Sequence, residues 1–206
     1  MIFAYNCEVV GISKDNGFYD LAVRDADGEK ISVKSNVVVN SAGLYSDTIA
    51  QMVGIDIEDN KYKLYYCKGE YFRVRSAKAK LVNMLVYPPP EKDSLGVHTV
   101  MDLQGEMKLG PNAFYVDEID YNVNPQHRDE FSVAAKTYFP FIESEDLSPD
   151  IAGIIPKLQG PGEEVKDFVV REEKDKGFAG FINLIGIESP GLTSSLSIAK
   201  YVAGMI

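Results

Sequence analysis

The chain has 206 residues, which is enough for one large or two small domains with a core of their own. Its apolar content of 45% and charged content of 25% are ordinary for a globular protein. The net charge of −10 argues against a nucleic-acid partner, because neutralising a phosphate backbone requires clustered Lys and Arg.

Cysteine usage and apolar run lengths narrow the class further. Cys7 and Cys67 lie far apart with no CxxC pair and no neighbouring histidine, so we expect reduced thiols and no metal site. No apolar run reaches the roughly 18 residues that a membrane-spanning helix needs. We expect a cytoplasmic protein, with a peripheral position at a membrane left open. Both ends look cut from a longer protein, with trimming of a terminus as the alternative.

The first 54 residues predict a β-meander followed by a buried strand and a helix. Strands are expected at 3–12, 18–24 and 29–34, separated by Asp/Asn/Gly turns. A fourth strand, 37–39, is apolar on both faces and ends in N-S-A-G, which lets backbone approach a ligand closely. A helix is expected at 46–53 with Ser46 as its cap.

The middle of the chain predicts longer strands, at 64–74, 96–101 and 106–109. The run Pro88-Pro89-Pro90 predicts an extended spacer. A helix is expected at about 124–139, because Pro125 suits a first turn and apolar residues recur on one side. Strands at 150–158, 168–171 and 180–187 complete the pattern.

The last 26 residues predict a strand, a small-residue turn and an amphipathic helix. Thr193 is a natural cap, and apolar residues recur at helical spacing in Leu196, Ala199, Val202, Ala203 and Ile206. Free N–H groups and the positive end of the helix dipole would favour an anion above Gly191 and Leu192. The alternative is one strand–turn–helix unit among many, with no ligand.

Five segments carry a resemblance to a known family. V-V-V-N-S-A-G-L-Y-S-D at 37–47 and S-P-G-L-T at 189–193 resemble the flavin-contacting segments of D-amino-acid-oxidase-like FAD-dependent oxidoreductases. G-V-H at 96–98 and G-P-N-A at 110–113 resemble the narrower L-2-hydroxyglutarate oxidase/dehydrogenase branch. G-I-I-P-K at 153–157 resembles a further segment, usually G-I-R-P-K.

This resemblance implies an α+β fold in two parts. Residues 1–54 and 150–206 would form the C-terminal parts of a glutathione-reductase-like FAD-binding domain whose N-terminal βαβ unit is missing. Residues 55–149 would form a substrate-binding domain on a large mixed or antiparallel sheet. The cofactor would be FAD, and its binding residues would be Ser41, Ala42, Gly43, Ser189, Pro190, Gly191, Leu192, Thr193 and Ser194.

The resemblance also implies a small 2-hydroxy acid as the substrate. Removing its hydroxyl proton requires a base near neutral pKa, for which histidine is the usual choice. Of the two histidines, His98 lies in the matching motif, whereas His127 is expected on a solvated helix face. Substrate-binding residues would be Tyr66, Lys68, Asn112 and Lys157, although core packing, an exposed sheet face or a turn explains such residues equally well.

Two departures from the family pattern matter. G-x-G-x-x-G, which holds the FAD pyrophosphate at a helix N-terminus, occurs nowhere in the chain. The chain is therefore expected to bind FAD poorly and to be inactive alone. The missing half would be supplied by the same gene or by a separate subunit. Assembly of the chain into an oligomer is a further alternative. Ile155 replaces the arginine of G-I-R-P-K, and Lys157 lacks the guanidinium fork.

The sequence therefore leaves more than one substrate and more than one activity open. Glycerol 3-phosphate or an amino acid would suit the same superfamily. A non-catalytic binding domain derived from such an enzyme is the alternative from a different class.

Overall fold

The computed structural model describes residues 2–89 and 96–206, so Pro90 of the proline run lies outside the described residues. The chain divides into two compact units, which are Met1–Tyr65 with Pro156–Ile206, and Tyr66–Ile155. Both boundaries fall later in the chain than the expected ones at 54/55 and 149/150. The roles expected of the two parts remain predictions.

Eleven strands occur in the described residues: β1 (Glu8–Asp15), β2 (Phe18–Arg24), β3 (Lys30–Ser35), β4 (Val38–Asn40), β5 (Tyr65–Val74), β6 (His98–Met101), β7 (Met107–Gly110), β8 (Phe114–Val116), β9 (Leu147–Lys157), β10 (Val169–Glu173) and β11 (Phe178–Ile185). The α-helices in the same part of the chain are α1 (Ser46–Met52), α2 (Ser76–Ala79), α3 (Arg128–Lys136) and α4 (Gly191–Ala203). Short 3-10 turns lie at Gly43–Tyr45, Pro125–His127, Ser144–Asp146 and Lys174–Lys176. The prediction of a mixed α/β protein is confirmed.

The first unit contains the predicted meander, in which β1, β2 and β3 pair antiparallel in that order. The turn between β1 and β2 has positive φ at Asn16 and Gly17, as a tight hairpin turn requires. β1 begins at residue 8 instead of 3, because Glu8 pairs with Arg24, the last residue of β2. Residues before Glu8 have no partner on that strand.

A second sheet in the first unit has the order β10-β11-β4. β4 runs parallel to β11, with Val38 opposite Phe181 and Asn40 opposite Asn183. Phe181, Ile182 and Ile185 are almost fully buried, so this sheet supplies much of the core of the unit. The strand expected at 37–39 is present one residue later, but the expected burial of both faces is wrong, because β4 lies at the edge of its sheet and Val39 is exposed.

The second unit is built on a five-stranded sheet, in which β6-β7-β5-β8 is the strand order and β9 also pairs with β5. Helix α3 covers it, and the Phe131 ring packs against Phe72 in a tilted arrangement, with 4.7 Å between ring centroids. Phe131 and Ala135 are fully buried in the same cluster as Met107 and Leu109. The helix expected at 124–139 is shorter, because Asn124 caps a 3-10 turn and α3 follows only from Arg128.

Two predicted helix caps are wrong. Ser46 is the first residue of α1, and its buried hydroxyl has no hydrogen-bond partner among the described residues. Thr193 lies inside α4, which begins at Gly191, and its Oγ1 donates back to the Pro190 carbonyl at 2.9 Å. In both places a tight turn leads directly into the helix, which leaves no extended residue to act as a side-chain cap.

Candidate functional site

The first unit holds a cavity of about 540 Å³ between β4, β11 and α4. Ser41, Gly43, Gly191 and Ser195 line its polar part. The remainder is apolar and is lined by Val39, Leu184, Ile187, Ile198, Ala199, Val202, Ala203 and Ile206. Of the predicted cofactor residues, the structure therefore brings Ser41, Gly43 and Gly191 together, from segments that are far apart in the sequence.

The start of α4 offers fewer free N–H groups than expected. The Gly191 N–H donates to the Glu188 carbonyl and the Ser194 N–H donates to Pro190. Leu192 and Thr193 are left as the first-turn amides without an acceptor in the described part of the chain. The anion-binding capacity predicted for residues 191–194 is thus confined to these two amides at the positive end of the helix.

Close packing at the start of α4 depends on a glycine. A Cβ on Gly191 would lie 2.3 Å from Ile187 Cγ2, so only glycine permits this approach of the helix to the preceding turn. Ser189, Pro190, Leu192 and Thr193 are exposed and do not line the cavity. Gly43, by contrast, has φ of +58° and open space where a Cβ would stand.

The turn that carries Ser41, Ala42 and Gly43 is attached to a buried polar chain. Asn40 Oδ1 accepts from the Ala42 N–H, and Asn40 Nδ2 donates to the Ser46 carbonyl and to Asn183 Oδ1. Asn183 in turn donates to the fully buried carboxylate of Glu173. The sequence did not single out these residues as a group, because they come together only through the pairing of β4, β10 and β11.

Lys157, a predicted substrate ligand, forms an ion pair with Glu188 at 2.6 Å, and both side chains are largely buried. Glu188 immediately precedes Ser189 and Pro190, so the pair fixes the turn that leads into α4. The ammonium group of Lys157 already has a carboxylate partner within its own unit.

In the second unit, His98 is buried on β6. Its Nδ1 lies 2.9 Å from the Gly96 carbonyl oxygen. Because a carbonyl oxygen only accepts, Nδ1 carries the proton and Nε2 presents a lone pair, which is the tautomer that a general base requires. The Tyr87 ring stacks on the imidazole at 4.2 Å between centroids and 19° between planes, so the ring orientation is fixed as well.

Strand pairing brings the two branch-specific motifs together. His98 lies opposite Gly110 in the antiparallel pair of β6 and β7, so the G-V-H and G-P-N-A segments are neighbours. A Cβ on Gly110 would stand 2.8 Å from the Tyr71 ring. Burial and the neighbouring Tyr87 raise the pKa of Tyr71, so its phenol is a hydrogen-bond donor at neutral pH. Tyr87 had no sequence motif to reveal it.

Lys68, another predicted substrate ligand, is buried, and its ammonium group interacts with other protein atoms. Its Nζ donates to Asp120 Oδ2 at 2.9 Å and to the Asn122 carbonyl at 2.5 Å, and lies 3.6 Å from Glu70 Oε1. Its ammonium group is therefore satisfied by protein atoms.

His127 does not lie on a solvated face, as the sequence suggested. Its Nδ1 lies 2.6 Å from Glu70 Oε2, and Glu70 is fully buried. The Phe114 ring packs edge-on against the imidazole at 5.5 Å. The expectation missed this contact because Glu70 lies on a distant strand.

The other two predicted substrate residues lie on or beside β5. Tyr66 is half-buried and pairs with Val116 of β8. Asn112 Oδ1 accepts from the Glu70 backbone N–H at 2.8 Å, which anchors the turn after Gly110 to β5. This contact is the turn-forming role that the sequence left open for Asn112.

Searches of the described residues find no group of three or more His, Cys, Asp or Glu side chains placed to hold a metal ion. Among these residues there is also no helix whose length and apolar character would let it cross a membrane.

Comparison with known proteins identifies the class of the chain. The profile of the DAO family, described as FAD dependent oxidoreductase, matches residues 1–205. Mitochondrial L-2-hydroxyglutarate dehydrogenase of Arabidopsis thaliana is 41% identical over 82% of this chain and 37% of its own length. Glycerol 3-phosphate dehydrogenase of Caloramator mitchellensis is 29% identical over 100% of this chain and 39% of its own.

A solved structure has the same fold. L-alpha-glycerophosphate oxidase from Mycoplasma pneumoniae with FAD bound aligns at a TM-score of 0.75 and 23% identity, over 97% of this chain and 50% of that chain. The chain thus spans half or less of the length of these three relatives.

The chain belongs to the DAO family of FAD-dependent oxidoreductases, and FAD is the cofactor of that family. The residues of the first unit fit such a group at two places, the polar part of the cavity and the exposed start of α4 outside it. Open space lies over Gly43, and the unpaired amides of Leu192 and Thr193 stand at the positive end of a 13-residue helix. These are features that an anionic or electron-rich cofactor favours.

Proposed function

We propose that the chain is part of an FAD-dependent enzyme that oxidises the CH–OH group of a small 2-hydroxy acid of the L-2-hydroxyglutarate type. The observation that carries this proposal is His98, which is buried, held in one tautomer by Gly96 and stacked under Tyr87. The 41% identity to a plant L-2-hydroxyglutarate dehydrogenase supports the substrate class.

The chemistry assigned to His98 is proton removal. The substrate O–H bond breaks, the proton passes to Nε2, and the oxygen's electron pair forms the C2=O bond of the 2-oxo acid. FAD, when bound, accepts the hydride that leaves C2. The Nδ1–H of the resulting imidazolium still donates to Gly96, so the protonated ring keeps its place.

Residues of the first unit would stabilise charge on the reduced cofactor. The Leu192 and Thr193 amides and the dipole of α4 favour a negative group, and Ser41 and Gly43 give close backbone approach. The remaining predicted contacts, at Ala42, Ser189, Pro190, Gly191 and Ser194, stay part of the proposal.

For the substrate we propose Tyr71 as a donor to a carboxylate, since its raised pKa keeps the phenol protonated. Tyr66 and Asn112 remain candidates beside it. Lys68 and Lys157 are weaker candidates, because each ammonium already contacts a carboxylate that cancels most of its charge at a distance.

We further propose that a dinucleotide-binding βαβ unit, from the same gene or another subunit, packs on the apolar part of the cavity. β4 is an edge strand of its sheet in the described residues. Val39 on that strand is 40% exposed, and Leu196 on α4 is 85% exposed. An unpaired edge next to apolar side chains is a surface that other protein normally covers.

A variant pair tests the catalytic part of the proposal. His98→Gln in the FAD-loaded enzyme is expected to lower kcat by about 10²–10⁴-fold with FAD content unchanged, because the general base is lost. His127→Gln, which alters the other histidine, is the matched control and should retain most activity. Wild-type turnover of L-2-hydroxyglutarate by His98→Gln would refute the role of His98 and favour a different base. No turnover of any candidate substrate by the FAD-loaded wild type would favour the non-catalytic domain.

Glycerol 3-phosphate is the second candidate substrate, since a glycerol 3-phosphate dehydrogenase aligns over 100% of this chain. It is also a CH–OH donor, so His98 would play the same part. The ratio of kcat/KM for the two substrates decides between them, and an amino acid belongs in the same assay.

Neither Cys7, which is exposed, nor Cys67, which is buried, forms a disulfide. We therefore propose a reducing compartment, the cytoplasm, for the enzyme. The Arabidopsis relative is named as mitochondrial, so fractionation of cells that express the tagged protein separates these locations.

A further inference from the structure

The buried polar network behind the turn at residues 41–43 consists of Glu173, Asn183 and Asn40. The chemistry of these side chains determines which group donates and which accepts each hydrogen bond. Glu173 has a carboxylate, which in its ionised form only accepts hydrogen bonds. The amide group of Asn183 therefore presents Nδ2 to Glu173 Oε1, at 2.9 Å. The oxygen of Asn183 then faces Asn40, whose Nδ2 donates to it at 2.8 Å.

The same logic fixes Asn40. Both hydrogens of its Nδ2 are used, on Asn183 Oδ1 and on the Ser46 carbonyl at 2.7 Å. Its oxygen consequently faces the Ala42 N–H and accepts from it at 3.3 Å. A reversed Asn40 amide would set two donors against each other, and the turn would lose this bond.

Glu173 itself is held in place by three further side chains, one on the oxygen that Asn183 contacts and two on the other oxygen. Tyr62 donates its hydroxyl to Oε1 at 2.8 Å, and Lys176 and Arg171 form ion pairs with Oε2. Burial lowers the pKa of Lys176, but the hydrogen bonds to Glu173 and Tyr62 outweigh it and raise that pKa. Burial raises the pKa of Tyr62, so its phenol stays a donor.

A missing hydrogen bond in this buried polar network would be energetically costly, because its members are shielded from water. Asn40, Asn183 and Glu173 are 3%, 0% and 0% exposed, so water does not replace a lost partner. Polar groups in such a setting either satisfy one another or destabilise the fold, and a satisfied network defines a single arrangement.

We infer that Glu173 is a positioning residue for the cofactor, acting through Asn183 and Asn40 on the turn at residues 41–43. The chain holds the Ala42 N–H inward, and this fixes Ser41 and Gly43 where they line the cavity. The inference rests on the proposed role of that turn in contacting FAD. Loss of the Glu173 charge frees the Asn183 amide to reverse, and a reversed Asn183 sets its Nδ2 against Asn40 Nδ2. This repulsion displaces Asn40, so the turn loses its anchor.

Glu173→Gln is the direct test, because glutamine keeps the shape but offers a donor as well as an acceptor. In the 206-residue chain, hydrogen exchange of the Ala42 amide is expected to rise by about tenfold, the effect of one hydrogen bond. In the FAD-loaded enzyme, the Kd for FAD should rise by about the same factor and the visible flavin spectrum should shift.

Glu172→Gln is the matched control, since it makes the same change one residue earlier, where the side chain accepts from the Gly180 N–H. It should leave Ala42 exchange and the Kd for FAD unchanged. If Glu173→Gln fails to fold, Asn183→Leu breaks the chain at similar volume and should have the same effect on Ala42. Exchange and FAD affinity that respond no more to Glu173→Gln or Asn183→Leu than to Glu172→Gln would overturn the inference.

The two proposals fail separately. An enzyme that binds FAD but oxidises no 2-hydroxy acid refutes the proposed function, while the exchange and affinity differences between Glu173→Gln and Glu172→Gln still support the positioning role. Unchanged Ala42 exchange with normal turnover refutes the positioning role alone.

Discussion

Gly110 is the residue on which the neighbourhood of His98 depends. It has φ of +140°, and a Cβ there would stand 2.6 Å from the Glu70 carbonyl oxygen and 2.8 Å from the Tyr71 ring. His98 lies directly opposite it across the β6–β7 pair. Backbone at this point therefore approaches β5 more closely than any side chain would permit.

Gly110→Ala is expected to destabilise the protein by about 2–4 kcal/mol, from backbone strain together with overpacking. Gly105→Ala is the control, because Gly105 also has positive φ but open space around its Cβ position. That variant should cost only about 1 kcal/mol. Urea unfolding measures both, and equal losses would show that the contact with Tyr71 and Glu70 is unimportant.

Residue-level motifs located His98 correctly on a strand, yet they could not reveal its surroundings. Tyr87 is 11 residues away in the sequence and reaches His98 because the preceding segment hydrogen-bonds along β6, through Val86 and Thr99. The error at His127 has the same origin, since Glu70 lies on β5 and carries no motif. These contacts are determined by the pairing of segments that are distant in the sequence, so local periodicity could not predict them.

At the scale of elements, β9 is held to β5 and β7 by a buried carboxylate. Asp150 accepts from Arg73 at 2.7 Å and lies 2.5 Å from the Lys108 Nζ. Burial raises the pKa of Asp150, but the ion pairs with Lys108 and Arg73 outweigh it and hold that pKa below its usual value of 3.8. The folded state therefore binds this proton less readily than the unfolded state does.

The sign of the pH dependence follows from that lowered pKa. Asp150 stabilises the protein fully above about pH 4, and this contribution is lost as the pH falls further. Asp150→Asn should cost about 2 kcal/mol at pH 7 and progressively less in acid. Urea-unfolding midpoints between pH 3 and 7 measure this difference in stability. Glu106→Gln, at a half-exposed carboxylate, is the control and should be near-neutral. A difference between wild type and Asp150→Asn that does not change with pH would contradict this role of Asp150.

Strands were predicted better than helix ends. Alternating or continuous apolar runs placed every strand of the meander and both strands beside the cavity within a few residues. The start of α1 at residue 46 was predicted correctly, although Ser46 is not its cap. Helix α4 begins at Gly191 instead of near Thr193, because Gly191 lets the helix pack closely on Ile187 of the preceding turn. The apolar residues of α4 were recognised, but most remain open to the cavity, because their partner surface is not provided within the described residues.

At the scale of the whole molecule, the chain contains the segments that we propose to contact a flavin but lacks G-x-G-x-x-G. We expect the 206-residue chain alone to bind FAD weakly, because no glycine-rich loop cradles the pyrophosphate. Flavin absorbance of the purified chain after FAD addition and gel filtration measures this. Tight, stoichiometric FAD would show that no further dinucleotide-binding unit is required.

The central claim is that a flavin enzyme with His98 as its base oxidises a 2-hydroxy acid. Anaerobic mixing of the FAD-loaded enzyme with L-2-hydroxyglutarate, followed at the visible flavin band, tests it most directly. The account predicts rapid bleaching by this substrate in the wild type and bleaching slowed by about 10²-fold or more in His98→Gln. A flavin that stays oxidised with L-2-hydroxyglutarate but is bleached by glycerol 3-phosphate or an amino acid would contradict it.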